Sequence, residues 1–225
     1  MKRAFLPAVA TLALVAATFL LAPVAWAASN QASFDLFPSA KFLPCMSAGT
    51  TPPRVHATVT RGDLNDQLRL DLSNFKAGLA FDLFTVQRSN QQADGSAVAG
   101  FTNFGLAWYQ SDVQVESRPT IPPVPGTPPI VIPSGGSVTV QTILLDQIFG
   151  FDPDVSLAPT NTFHLGFWFN SPADAAPCGF SGTTPFNGDH NAGPLAFISR
   201  PDPNTGLGPL CINPNTSHSP ATCNP

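Results

Sequence analysis

The residues best suited to chemistry are two histidines and an aspartate. His190 follows Asp189 in Asn187-Gly188-Asp189-His190-Asn191, and His164 lies upstream in Thr162-Phe163-His164-Leu165-Gly166. Imidazole with carboxylate suits zinc or copper, and a closed site needs a third or fourth ligand such as Asp152 or His56. The same stretch also reads as a β-turn whose Asn, Gly and Asp satisfy their own backbone, with His190 in solvent. Asp146, Asp152 and Asp154 surround Phe149-Gly150-Phe151. Loop carboxylates suit calcium, but the EF-hand spacing is absent, and capping around Pro153 is the simpler reading. Trp108, Tyr109, Trp168 and Asn170 could form an aromatic platform for a sugar or a hydrophobic partner; core packing is the commoner fate of such rings.

Nucleophile signatures are missing. Ser181 in Gly179-Phe180-Ser181-Gly182 lacks the nucleophile elbow. Neither a His-Glu-x-x-His helix nor a phosphate loop occurs. Glu116 is the sole glutamate, so a carboxylate acid–base pair would have to be built from aspartates. Arg61-Gly62-Asp63 spells an adhesion tripeptide but sits where a hairpin must turn.

The elements that position these residues follow the strand period of two. Val55, Ala57 and Val59 alternate with His56, Thr58 and Thr60; Leu68, Leu70 and Leu72 alternate with Gln67, Arg69 and Asp71. With the polar run 61–66 between them, they predict a hairpin with one wet face. Gly78 to Arg88 is more apolar on both faces and reads as a central strand. Further strands are expected over 104–115, 137–145, 162–170 and 194–199, and a helical turn over 146–149. Phe163, Leu165, Phe167 and Phe169 should share one face, and His164, Trp168 and Asn170 the other. The stretch 118–133 holds seven prolines and reads as an exposed loop of polyproline character.

Composition agrees. The chain has 225 residues with 17 Gly and 25 Pro. Lysine and glutamate are scarce and aspartate dominates the acids, which disfavours long helices. Lys2 and Arg3, an apolar run from Ala4 to Val24 and Ala25-Trp26-Ala27 form an export signal, cut after Ala27 or, second, after Ala28. An uncleaved anchor is the alternative. Cleavage leaves about 198 residues, one domain's worth, two charges more negative than the −4 of the whole chain. That acidity argues against nucleic acid as a partner, and no later segment is apolar enough to span a membrane. Cys45, Cys178, Cys211 and Cys223 predict two disulfides in an oxidising compartment. Three pairings exist; Cys45–Cys178 with Cys211–Cys223 is favoured because the last two lie close together in a Pro/Asn-rich tail.

Phe75-Lys76-Ala77-Gly78-Leu79-Ala80-Phe81-Asp82-Leu83 resembles a segment of the copper/zinc superoxide dismutase sandwich and the related CHRD domains. Thr162–Gly166 and Gly188–Pro194 are similar to other pieces of it. The resemblance implies a Greek-key sandwich and not a dismutase: the two metal-binding histidines of that strand are replaced within Phe81-Asp82-Leu83. Phe104–Asp112 and Thr184–Gly188 also resemble segments of bacterial secreted proteins, a resemblance that implies no activity.

The reading is therefore an all-β, two-sheet antiparallel Greek-key-type sandwich with long loops and a C-terminal tail. It divides into a signal peptide (1–27), an N-terminal extension (28–50), one sandwich domain (51–200, with the Pro-rich loop 118–133 inside it) and a tail (201–225). The expected role is a non-enzymatic binding or surface-associated protein, secreted or periplasmic, with a surface, carbohydrate or protein ligand. No cofactor is expected. The alternative is an exported metal-binding protein or metalloenzyme using His164, Asp189 and His190.

Overall fold

The computed structural model describes residues 30–62, 66–116, 130–132, 137–141, 156, 159–184 and 191–223. The expected signal peptide, most of the expected Pro-rich loop, the helical turn expected at 146–149, and Asp146, Asp152, Asp154, Asp189 and His190 lie outside them.

The fold is all-β. Among the described residues, nine strands form one sheet: β1 (Gln31–Pro38), β2 (Arg54–Thr60), β3 (Gln67–Ser73), β4 (Ala80–Val86), β5 (Ala107–Val115), β6 (Ile130–Ile132), β7 (Ser137–Gln141), β8 (His164–Phe169) and β9 (Leu195–Ser199). Their order is β6-β5-β4-β8-β9-β1-β2-β3-β7. Inward residues from both halves of this sheet join one apolar cluster, including Val55, Leu70, Phe81, Leu83, Val113, Phe167 and Phe197. The sheet therefore folds over on itself as a sandwich, because each half has one apolar face to remove from water.

The β2–β3 hairpin alternates as its sequence requires: Val55, Ala57, Val59, Leu68, Leu70 and Leu72 are buried, while Arg54, His56, Gln67 and Arg69 face solvent. Strands β4 and β8 are buried on both faces. Leu165, Phe167 and Phe169 enter the main core and Phe163 packs against it, as the alternation predicts.

Three features differ from the sequence reading. Gln31–Pro38, ahead of the expected first strand, is β1 and lies between β2 and β9 inside the sheet. Its Phe34 and Leu36 pack on the core while Ser33 and Asp35 face out. Ile130–Ile132, inside the expected Pro-rich loop, is a strand that pairs parallel with β5 in an otherwise antiparallel sheet. The C-terminal segment is also more than an extended tail: Leu210 is 1% exposed in the core and its backbone N–H donates to the Phe163 carbonyl. Two short strands, β10 (Pro214–Asn215) and β11 (Thr222–Cys223), close a small ladder beyond it.

The disulfides are Cys45–Cys178 and Cys211–Cys223, the favoured pairing, and they suit an oxidising, extracellular environment. Cys45 lies in α1 (Leu43–Met46), and Cys178 follows α2 (Pro172–Ala175), which is capped by the Ser171 side chain. Among the described residues, no helix is long and apolar enough to cross a membrane.

Candidate functional site

His164 is 5% exposed. Its Nδ1 lies 3.2 Å from both the carbonyl and the Oγ of Ser199. Burial pushes its pKa down to about 4, so the ring is neutral at ordinary pH. It offers one neutral imidazole; Asp189 and His190, its expected partners, are not among the described residues. Within those residues, no three His, Cys, Asp or Glu side chains come together to hold a metal. His56 lies away on the outer face of the β2–β3 hairpin.

The aromatic residues divide. Trp108 and Tyr109 are neighbours in β5 and so point to opposite sides of the sheet. Tyr109 joins Phe84, Phe104 and Trp168 in a second apolar cluster. Trp168 is only 2% exposed, held edge-on by Phe84 at 5.5 Å and Phe104 at 5.0 Å. It packs and presents no open ring face to a ligand. Asn170 remains half-buried at the strand end. Room for the indole comes from Gly166: a Cβ there would lie 2.7 Å from the Trp168 ring and 2.9 Å from the Phe197 carbonyl. Gly166→Ala should cost about 1–3 kcal/mol in urea unfolding through overpacking; unchanged stability would show that the indole moves aside freely.

Beside this cluster lies a buried acidic pair. Asp82 on β4 stands opposite Asp112 on β5 and opposite Trp168 on β8. Asp82 is 0% exposed and Asp112 6%. Two ionised carboxylates cannot hydrogen-bond to each other, since both only accept. Among the described residues no protein donor reaches either Asp82 carboxylate oxygen, so a proton held on Asp82 and directed at Asp112 is what lets the pair be buried together. Burial first, then the Asp112 hydrogen bond and the Asp112 and Asp174 charges, push the Asp82 pKa up to about 8. The Tyr109 hydroxyl donates to Asp112 Oδ1 at 2.8 Å. Burial, then that bond to Asp112, raises the phenol's pKa. The pair is sealed from solvent, so it shapes stability and not access to substrate.

A third constellation lies on the outer face of β1 and β2. Alternation places Gln31, Ser33, Asp35 and Phe37 on one side of β1. Register sets Ser33 opposite Thr58 and Asp35 opposite His56. The His56 Nε2 is 2.8 Å from Ser33 Oγ, and its Nδ1 is 2.6 Å from Asp35 Oδ1. Thr58 Oγ1 is 3.1 Å from the same Ser33 Oγ. These four β1 side chains floor a cleft of about 710 Å³, walled by 200–214 of the C-terminal segment. Arg200 lies within it, its guanidinium 3.6 Å over the Phe37 ring and its Nε donating to Gln91 Oε1 at 2.8 Å. The sequence reading missed this site because it named no strand before Val55. The signal was present in Ala32, Phe34 and Leu36 alternating with Ser33, Asp35 and Phe37.

The chain matches no protein-family model, no curated protein and no solved structure.

Proposed function

We propose that this chain is an exported β-sandwich binding protein, secreted or periplasmic, that takes a carbohydrate in the cleft between β1 and the C-terminal segment. The observation that carries this reading is Arg200. Stacked on Phe37 and tethered through Nε, its planar fork is held in place before any ligand arrives, which lowers the entropy lost on binding. Around it, Gln31, Asp35 and Asn204 supply donors and acceptors of the kind that pair with vicinal hydroxyls. The mixed polar and aromatic lining suits a sugar better than a wholly apolar ligand. Export is supported by the signal-like first 27 residues together with the two disulfides.

The test is a glycan array followed by calorimetry on the best binder. Arg200→Ala and Phe37→Ala should each weaken binding at least about tenfold, roughly the loss of one charge-assisted hydrogen bond. An array with no binder, or binding that survives both changes, defeats the reading.

A further inference from the structure

We propose that Ser33, His56 and Asp35 form a nucleophile–base–orienter triad that hydrolyses acyl esters bound in this cleft. The inference goes beyond the binding reading, because it concerns what the cleft floor does to a bound ester.

The order of atoms around the imidazole gives each group its role. An ionised carboxylate only accepts hydrogen bonds, so the contact between Asp35 Oδ1 and His56 Nδ1, at 2.6 Å, places the ring proton on Nδ1. In the neutral ring Nε2 is then the lone-pair nitrogen, and the Ser33 hydroxyl 2.8 Å away must donate to it. That is the relation between a nucleophile, its general base and the group that orients the base. Thr58, opposite Ser33, lies 3.1 Å from the same oxygen; by donating there it leaves the Ser33 proton directed at His56. On its other side His56 stands opposite Asp71. Both Asp71 oxygens are engaged by Arg69, at 3.0 and 2.7 Å.

A polar ladder on a wet sheet face would need none of this ordering. Here the diagonal reach from His56 to Ser33 and the straight reach to Asp35 use the two ring nitrogens in their separate roles. Ser33 and Asp35 both open onto the cleft, and Arg200 brings its guanidinium to the same space.

The chemistry balances without a cofactor. Ser33 Oγ attacks the ester carbonyl carbon as its proton passes to His56 Nε2. The carbonyl oxygen takes the negative charge, which a guanidinium in the cleft is suited to stabilise. The C–O bond to the leaving alcohol then breaks, and that oxygen takes the proton from His56. Water attacks the acyl carbon and passes one proton to His56 Nε2; the bond from that carbon to Ser33 Oγ then breaks, Oγ takes the proton back from Nε2, and the carboxylic acid departs.

The full secreted chain would be treated with a fluorophosphonate probe and the labelled peptide mapped by mass, with para-nitrophenyl acetate hydrolysis followed in parallel. Label on Ser33 is expected. Ser33→Ala and His56→Ala should each lower hydrolysis at least about 100-fold, and Asp35→Asn at least about tenfold. All three side chains are exposed, so the variants should keep the wild-type melting temperature. No label on Ser33, or equal hydrolysis by wild type and Ser33→Ala, overturns the proposal. Saccharide binding is measured on the same Ser33→Ala protein. Intact binding without wild-type hydrolysis removes the triad alone; hydrolysis without any saccharide binder removes only the binding reading.

Discussion

Replacing Asp82 with asparagine raises the melting temperature at pH 9 and changes it little at pH 4. In the folded chain the Asp82 proton is held by burial, by its hydrogen bond to Asp112 and by the nearby Asp112 and Asp174 charges, with a pKa of about 8. In the unfolded chain it leaves near the ordinary aspartate value of 3.8. Between those two values the native state binds one more proton than the unfolded state, so stability falls as pH rises. The loss begins near pH 4 and is complete above about pH 8. Each unit of pKa difference corresponds to about 1.4 kcal/mol, and relaxation around a buried pair reduces the sum to on the order of a few kcal/mol.

Asparagine keeps the shape and supplies an N–H in place of the acid's O–H, so it can donate to Asp112 at every pH. The pH-dependent penalty then disappears. For a chain of this size, a few kcal/mol corresponds to roughly 5–10 °C. Thermal melts of both proteins from pH 4 to pH 9 check it. Other groups titrate in both proteins, so the difference between the two curves isolates the pair; parallel curves would mean that Asp82 carries no shared proton.

What could be read from the sequence depended on whether a residue's role was local. The β2–β3 hairpin was legible because each strand carries its own wet and dry face, and β4 because both its faces are apolar. The inward set Leu165, Phe167 and Phe169 followed from period two alone. By contrast, Asp82 meant little in isolation: it was only the residue between Phe81 and Leu83, where a dismutase-like strand would have its two histidines. Its consequence arises when β5 brings Asp112 opposite it, next to a register shift between Leu83 and Phe84 that no local pattern encodes. Ser33, Asp35 and His56 are similar. Each has an ordinary strand neighbourhood, and only the β1–β2 register brings them within hydrogen-bond distance. Period two places Trp168 opposite the Phe face, but its burial depends on Phe104, which arrives from the loop before β5.

Removing the Cys45–Cys178 bridge by changing both residues to serine should cost about 5 kcal/mol, against about 3 kcal/mol for Cys211–Cys223. The difference lies in the loops they close. The first spans 133 residues and the second 12, and chain-entropy loss in the unfolded state grows with the logarithm of that span. Local packing points the same way. The long-range bridge joins two short helical segments whose neighbours Phe42, Met46 and Ala175 are buried in the main core, whereas Cys211 and Cys223 fasten a half-exposed ladder. Domains of ordinary stability hold only about 5–15 kcal/mol in total, so the first double variant should sit near its unfolding midpoint at physiological temperature. The second should still fold, with a loosened wall to the cleft, since Cys211 and Pro214 line it. Urea unfolding of the two double-serine proteins measures the order. Changing both partners together avoids leaving a thiol free to exchange. If the short loop proves the costlier one, native-state packing of the C-terminal segment outweighs loop entropy, and the cleft wall is the more important contributor to the fold.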